Sequence, residues 1–241
     1  MTPPDPPDVE AMANASSTRS AGREAAERMN GQIAQLRAKA PWAEQLGTSV
    51  LDRCESELRV AVAFASGSWE LASCERTTSV YVAFDGDLRE RLAELDGSID
   101  AQGWKSRAEP RSAGLVAADR YLHQPPVGAK PEESASAEAR PTLVWVEYAL
   151  PGEGPTSTEL SVGVTQAPAM PPGEDDRPNQ YDDHGRRPYA NDDTHREVVF
   201  TVEPLRAKEL VQKTAHKYVA LFKFHTRYFV EPSREGAAAP H

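Results

Sequence analysis

The sequence predicts an α+β fold, with helices packed on one face of an antiparallel or mixed sheet. Apolar and polar residues alternate in several short stretches, which is typical of strands, and apolar residues recur at spacings of three and four in others, which is typical of amphipathic helices. Hydrophobic residues make up 39% of the 241 residues. This share is below the globular average, so we expect a sizeable folded core that carries disordered segments.

Six strands are predicted from alternation and from β-branched or aromatic content. The clearest alternation runs through Leu160, Val162 and Val164, and the almost continuously apolar stretch before it completes a β-hairpin. The predicted strands are residues 57–65, 69–84, 142–150, 158–166, 196–202 and 217–230. The last stretch also fits a helical stripe, but its aromatic and β-branched residues favour a strand.

The main helices are predicted over residues 23–40, 87–102 and 205–215. The second is the clearest, because Asp87 and Glu90 have the spacing of a capping box and Gly103 is placed to end the helix. Its apolar residues step by four, three and four, at Leu88, Leu92, Leu95 and Ile99. A further short helix is predicted from Trp42 to about Cys54.

The segment from Trp69 to Phe84 is long for one strand, and its apolar face changes parity partway. Leu71 lies on one face, whereas Val80 lies on the other. A slip of one residue moves every later side chain to the opposite face. We therefore expect a bulge or break between residues 74 and 78.

Two cysteines, Cys54 and Cys74, could form a disulfide that closes a loop of about 20 residues, or could remain two buried thiols. If Ser66-Gly67 is the hairpin turn, Cys74 lies opposite Arg59 rather than opposite Cys54. The chain before the hairpin would then have to fold back to bring the two Cα atoms within about 7 Å. Both alternatives stay open on this reasoning.

The polar and proline-rich stretches define the predicted domain organisation. The predicted parts are a disordered tail at 1–21, a main domain at 22–166 with a flexible insertion at 124–141, a disordered acidic loop at 167–195, a strand-helix-strand at 196–230 that completes the same domain, and a disordered tail at 231–241. The acidic loop is unusually long for a structureless segment, so we expect it to be functional or disordered.

The acidic loop collects carboxylates and imidazoles, which are groups that bind metal ions. The candidate metal ligands are Asp182, Asp183, His184, Asp192, Asp193 and His195. Their spacing fits no EF-hand loop, and a solvated, self-repelling loop is the interpretation we favour. The sequence contains no HExxH, GxSxG, phosphate-binding loop or GxGxxG, so it identifies no catalytic residue and no cofactor.

The formal net charge is −10, from 37 acidic and 27 basic residues, which argues against nucleic acid and anionic membranes as partners. No stretch approaches the roughly 20 apolar residues of a membrane span. Lys223, His225 and Arg227 interleave with aromatic residues and could stack nucleic-acid bases, but a half-buried strand with one solvated side explains them better. We expect a protein partner, and no pattern indicates an oligomeric state.

Several segments between residues 40 and 105 carry a resemblance, namely Ala40-Pro41-Trp42-Ala43, Ser68-Trp69-Glu70, Ser73-Cys74-Glu75-Arg76-Thr77-Thr78 and Ala83-Phe84-Asp85-Gly86-Asp87-Leu88 together with Cys54. They resemble uncharacterised actinobacterial proteins, and the resemblance implies no activity. It implies a structural disulfide between Cys54 and Cys74 in an extracytoplasmic domain. The N-terminus has no signal-peptide pattern, which predicts a cytoplasmic protein; a bridged pair predicts an extracytoplasmic one.

Three functions follow from these observations. The leading hypothesis is a non-catalytic binding or interaction module, which the lack of catalytic motifs and the acidic, disordered segments favour. The first alternative is a metal-dependent hydrolase that uses the Asp/His-rich loop. The second is a structural domain of the cell envelope.

Overall fold

The computed structural model describes residues 5–59, 68–107, 144–150, 158–167 and 194–231. These residues form the helices α1 (Val9–Asn14), α2 (Ser16–Lys39), α3 (Leu88–Ala101) and α4 (Ala207–Lys213). They form the strands β1 (Glu44–Arg59), β2 (Ser68–Trp69), β3 (Ser73–Phe84), β4 (Lys105–Ser106), β5 (Val144–Ala149), β6 (Thr158–Gln166), β7 (His195–Glu203) and β8 (Tyr218–Val230). The predicted insertion at 124–141 and most of the predicted acidic loop, residues 168–193, lie outside the described residues.

The eight strands form one sheet in the order β2-β1-β3-β8-β6-β5-β4, with β7 paired to β1. Each pairing among the described strands is antiparallel, so the predicted α+β fold is confirmed in its antiparallel form. The predicted β5–β6 hairpin is present. The ambiguous stretch at 217–230 is the strand β8, which lies between β3 and β6 in the middle of the sheet.

Helices α2 and α3 cover one face of the sheet and enclose the main hydrophobic core. Alternation along β3 sends Val82 to this face and Tyr81 to the opposite one. Helix α1 lies on the same face of the sheet as α2, because Val9 packs with Cys54 and Cys74. The short helix α4 differs from the predicted single-sided packing, since it packs with Tyr81 on the other face.

Helix α3 forms as its sequence pattern predicts. The side chain of Asp87 caps the helix by accepting a hydrogen bond from the backbone N–H of Glu90 at 2.9 Å. The stripe of leucines and isoleucine is buried against the sheet. Gly103 follows the last turn with a φ of 86°, a left-handed conformation that glycine adopts without the strain of a Cβ.

The predicted disordered tail at residues 1–21 is wrong from Val9 onward, because α1 and the start of α2 occupy this stretch. Asp8 caps α1 by accepting a hydrogen bond from the N–H of Ala11 at 2.8 Å. Ala13 and Thr18 are fully buried. The buried side chains are mostly small, so the helical face has too little hydropathic contrast to be recognised as a periodic pattern.

The predicted short helix from residue 42 to about 54 is also wrong, because Glu44–Arg59 is the strand β1. Its buried positions include Asp52, Cys54 and Ser56, which alternate with more exposed residues. The strand has the period of two that burial requires, but half of its buried face is polar. Alternation of hydropathy therefore does not reveal it.

The pairing of β1 with β2 and β3 corrects the predicted position of the hairpin turn. Leu58 lies opposite Trp69 and Arg59 lies opposite Ser68, so residues 60–67 connect the two strands and Ser66-Gly67 is not the centre of the connection. Cys54 therefore lies directly opposite Cys74. The bulge or break predicted between residues 74 and 78 is not found in β3, because β3 pairs with β1 in continuous register from Ser73 to Tyr81. The strand is interrupted earlier, at residues 70–72 between β2 and β3, and the register shift between β3 and β8 leaves Tyr228 of β8 as the extra residue.

One corner of the fold is held by His216, which precedes β8. Its Nδ1 lies 2.8 Å from Asp85 Oδ2 and its Nε2 lies 2.8 Å from Glu44 Oε2. The backbone N–H of Lys217 also donates to Asp85 Oδ1 at 2.8 Å. The hydrogen bonds that His216 makes to the carboxylates of Glu44 and Asp85 raise the pKa of His216, and the hydrogen bonds that Asp85 accepts from the N–H of Lys217 and from His216 lower the pKa of Asp85.

We expect His216→Gln to destabilise the protein in a pH-dependent way. The raised pKa of His216 means that its ionic contribution is fully present below its unfolded value of 6.5 and is lost as the pH rises through the folded value. The lowered pKa of Asp85 means that its contribution is present above 3.8 and is lost as the pH falls through the folded value. Urea unfolding at pH 5 and pH 9 measures the difference. An equal loss of unfolding free energy at pH 5 and at pH 9 would contradict the ion pairs of His216 with Asp85 and Glu44.

Candidate metal centre

The face of the sheet opposite α2 and α3 carries a charged cluster centred on Arg53 of β1. The guanidinium contacts Oε1 of three carboxylates, at 2.7 Å for Glu55, 3.0 Å for Glu75 and 3.0 Å for Glu197. Each of the four side chains is at most 17% exposed. Charges withdrawn from water to this degree depend on their partners, because each loses much of its hydration.

Strand register explains how these side chains meet. Arg53 and Glu55 share a face because they are two residues apart on β1. Glu75 on β3 lies opposite Arg53, and Glu197 on β7 lies opposite Glu55. The like charges of Glu55 and Glu197 thus form a direct cross-strand pair, which is unfavourable on its own.

Glu75 is the carboxylate with the most favourable surroundings. Burial opposes its ionisation, but a hydrogen bond with His225 at 3.1 Å, the charge of His225 and the contacts with Arg53 outweigh burial and lower the pKa of Glu75 to about 2. Glu75 therefore remains ionised near neutral pH and is one fixed anion of the cluster.

Glu55 behaves in the opposite way although it contacts the same guanidinium. Burial raises the pKa of Glu55 to about 7, the charge of Arg53 acts against this, and the charges of Glu75, Glu197 and Glu57 add to it. The difference arises because Arg53 is shared among several carboxylates, so its single charge cannot stabilise all of them as anions. Near neutral pH, Glu55 is therefore close to half protonated.

A histidine joins this cluster from β7. His195 Nε2 lies 3.6 Å from Glu55 Oε2, and His195 Nδ1 lies 3.3 Å from Glu57 Oε1. The ring of His195 is largely buried, with 8% of its side chain exposed, whereas Glu57 is 55% exposed. The imidazole therefore lies between a buried and an exposed carboxylate. It can bridge both when protonated, or offer one nitrogen to a metal ion when neutral.

These three residues have the geometry of a metal-binding triad. One ligand atom from each of Glu55, Glu57 and His195 lies within 4.8 Å of the other two. In a tetrahedral zinc site with bonds of about 2.1 Å, ligand atoms lie roughly 3.4 Å apart. The triad, whose ligand atoms lie within 4.8 Å of one another, must therefore contract by up to about 1.4 Å to bind zinc in this way, and the exposed side chain of Glu57 can make that adjustment.

Of the residues predicted as metal ligands, His195 is the one that the structure describes. Asp182, Asp183, His184, Asp192 and Asp193 lie outside the described residues. The structure brings His195 together with two glutamates that the sequence reasoning did not select. A signal for them exists, since the alternation Glu55-Ser56-Glu57 places two carboxylates on one face of a strand. This signal is hidden because the buried face of β1 is half polar, so the sequence pattern does not predict a strand there.

The two cysteines lie on the other face of β1, at disulfide-bonding distance and fully buried. Comparison of the chain with protein-family models, with curated proteins and with solved structures finds no match. Within the described residues, each helix is too short or too polar to cross a membrane.

Proposed function

We propose that this chain is a non-catalytic binding module that binds a divalent cation of the zinc type through Glu55, Glu57 and His195. The observation that carries the proposal is the convergence of three ligand atoms from three residues within 4.8 Å. A set of one imidazole and two carboxylates suits zinc, whereas calcium prefers a larger set made of oxygen atoms alone.

The charge of the surroundings supports a cation at this position. Three carboxylates, those of Glu55, Glu75 and Glu197, contact the guanidinium of Arg53, and the charge of Glu57 also acts on Glu55. Their mutual repulsion is part of what raises the pKa of Glu55 to about 7. A divalent cation would take the place of the proton on Glu55 and would offset this repulsion.

The coordination number supports binding of a partner. A zinc ion held by three protein ligands retains an open position in its tetrahedral shell. In a binding module this position takes a water molecule or a donor atom from a partner. Asp192 and Asp193 precede His195 by three and two residues in the sequence, so they are candidates for a fourth ligand from the same chain.

The cysteine pair supports an extracytoplasmic location for this module. Cys54 and Cys74 face each other across β1 and β3 at disulfide-bonding distance. Disulfides persist in oxidising compartments and are rare in the reducing cytoplasm. A disulfide-stabilised sheet that presents a cation site is compatible with a role in the cell envelope.

The proposal predicts one equivalent of saturable Zn²⁺ binding to the untagged, oxidised full-length protein in isothermal titration calorimetry. Glu57→Gln is expected to weaken binding by at least about tenfold, because a ligand is lost. Affinity is also expected to rise about tenfold per pH unit up to pH 7 and then to level off, because the proton on Glu55 competes with the metal.

The matched control is Glu203→Gln, which removes an exposed carboxylate at the other end of β7. It is expected to leave Zn²⁺ affinity unchanged. Equal affinities of Glu57→Gln and Glu203→Gln, or no saturable binding, would contradict the site. A double variant, Asp192→Asn with Asp193→Asn, tests whether these carboxylates contribute to the same site.

A metal-dependent hydrolase is the second candidate, favoured by the open coordination position that three ligands leave. In this function Glu55, Glu57 and His195 would hold a metal ion that would supply an activated water, and Glu197, which lies opposite Glu55, would be the carboxylate placed to accept a proton. The zinc-loaded protein would then hydrolyse simple esters faster than the same concentration of free Zn²⁺. A rate equal to that of free Zn²⁺, with stoichiometric metal bound, favours the binding module.

A further inference from the structure

A second candidate site lies on the opposite face of the sheet, beneath α2. It is a cavity of about 410 Å³ between α2 and strands β1, β3, β7 and β8. Gly22 allows α2 to approach closely here, since a Cβ at this position would lie 3.3 Å from the ring of Tyr228. The cavity shares no lining residue with the cation site, and it carries the opposite charge.

The charged groups of the cavity are three arginines and one aspartate, a formal excess of two positive charges in a chain whose net charge is −10. The carboxylate of Asp52 is already bound by the protein on both oxygens. Tyr228 donates its hydroxyl to Oδ1 at 2.7 Å, and Arg76 donates through Nη1 to Oδ2 at 2.9 Å. Burial, followed by the bond with Asp52, raises the pKa of Tyr228, so its hydroxyl remains a donor.

Two donors of the cavity have no partner among the described residues. These are Nε of Arg76 and the hydroxyl of Thr18, both buried. Thr18 is fully buried. A threonine within a helix commonly donates its hydroxyl to the carbonyl four residues before it, but the hydroxyl of Thr18 makes no such bond. Buried polar groups are normally satisfied, so these two donors leave uncompensated positive partial charge behind the wall of the cavity, which favours an anion within it.

The remaining positive charges come from Arg19 and Arg23, which lie one turn apart on α2 and line the same cavity. Like charges at this spacing repel each other and weaken an isolated helix. Arg19 is oriented by a hydrogen bond from its Nη2 to Asn14 Oδ1 at 2.6 Å. Guanidinium groups bind carboxylates and phosphates through paired hydrogen bonds, so an anion at this position would relieve the repulsion.

An aromatic side chain stands at the rim of this cavity. Phe200 is 40% exposed, and it is the extra residue of a bulge in β7, because Asp52 pairs with Thr201 while Arg53 pairs with Val199. A bulge re-aims a side chain and is common beside functional sites. Phe200 thus adds an apolar surface next to a polar, positively charged pocket.

We propose that this cavity binds a small organic anion. Its carboxylate or phosphate group contacts Arg19 and Arg23 at the open side of the cavity, and Arg76 adds positive charge from the buried side, while an apolar part of the ligand packs on Phe200. This site is independent of the proposed cation site, so either can fail without the other.

The test is calorimetric titration of the full-length, oxidised protein with benzoate, phenyl phosphate and inorganic phosphate at constant ionic strength set by sodium chloride. We expect saturable one-to-one binding of benzoate or of phenyl phosphate, and the tighter of the two identifies the anionic group. Arg23→Gln is expected to weaken binding at least about tenfold, because a charge-assisted hydrogen bond is lost.

Arg28→Gln is the matched control, because Arg28 is exposed on α2 and does not line the cavity. Both arginine variants keep the helix intact, which circular dichroism checks. Phe200→Ser is expected to weaken phenyl phosphate more than inorganic phosphate. The proposal is overturned if none of the three anions binds saturably up to about 10 mM, if Arg23→Gln binds as tightly as Arg28→Gln, or if Phe200→Ser weakens both phosphates equally.

Discussion

Replacing Arg53 with methionine is expected to lower the free energy of unfolding by about 3–5 kcal/mol. This is the usual cost of removing one partner from a buried ionic cluster, because the remaining charges stay buried without compensation. Arg53 is 17% exposed and contacts Glu55, Glu75 and Glu197, of which Glu197 is 1% exposed. Methionine has a similar length, so the change removes the charge while leaving most of the packing volume.

The effect is expected to depend on pH in a defined direction. Without Arg53, the carboxyl groups have higher pKa values in the folded state than in the unfolded state, so ionisation destabilises the fold as the pH rises. Guanidinium chloride unfolding at pH 5 and pH 8 is therefore expected to show the larger loss at pH 8. The double variant Arg53→Met with Glu197→Gln is expected to recover part of the free energy of unfolding that Arg53→Met loses.

The control for this prediction is Arg227→Met. Arg227 lies on β8 opposite Glu75 and is exposed, so its loss is expected to cost less than about 1 kcal/mol. If Arg53→Met costs no more than Arg227→Met, Arg53 does not stabilise the cluster. If the loss at pH 5 exceeds the loss at pH 8, the carboxylates are not the groups that depend on it.

The parts of the fold that sequence could predict are those in which burial and hydropathy coincide. Helix α3 and the β5–β6 hairpin follow from apolar residues at helical and strand periods, and each buries those residues in the main core. Strand β8 was recognised for a related reason, since aromatic and β-branched residues line its buried positions. Local pattern and tertiary burial agree in these elements.

The parts that could not be predicted are those in which polar or very small residues are buried. Strand β1 hides Asp52 and Ser56, which tertiary partners satisfy: Asp52 accepts from Tyr228, and Ser56 donates to the carbonyl of Glu70 at 2.7 Å. Those partners lie far away in the sequence or across an unrecognised hairpin. Hydrogen bonds to distant residues therefore stabilise β1 against its low local strand propensity, and a single sequence does not show such bonds.

The same reason limits prediction of the candidate site. His195 could be selected because histidines and carboxylates are dense in its part of the sequence, but Glu55 and Glu57 reach it only through the pairing of β1 with β7. This register spans more than half the chain and depends on the bulge at Phe200. Neither the pairing nor the bulge leaves a local mark, so the triad could be found only after the strands were aligned in space.

The second large change in stability is expected when the disulfide between Cys54 and Cys74 is reduced. Reduction is expected to lower the free energy of unfolding by about 3 kcal/mol, because the bridge closes a loop of 20 residues and restricts the unfolded chain. The two cysteines lie directly opposite each other on β1 and β3. The β1–β3 pairing therefore brings the two Cα atoms to 3.9 Å, well inside the distance of about 7 Å beyond which a bridge cannot form without movement of the backbone.

Both cysteines have no exposed surface and pack with Ala72 and Tyr228 beneath α1. A reductant therefore reaches the bridge only after this part of the fold opens. The measurement compares guanidinium chloride unfolding of the oxidised protein with that of protein reduced in denaturant and refolded with a phosphine reductant. The oxidised form is expected to unfold at the higher concentration.

The variant Cys54→Ala with Cys74→Ala separates the bridge from other effects of the reductant. Its unfolding midpoint is expected to be the same with and without reductant and to lie at or below that of the reduced parent protein, since the smaller side chains also leave a cavity. Identical midpoints for oxidised and reduced parent protein would contradict a stabilising bridge. Two free thiols in protein isolated from its native source would contradict the extracytoplasmic location, because only an oxidising compartment keeps such a pair bridged.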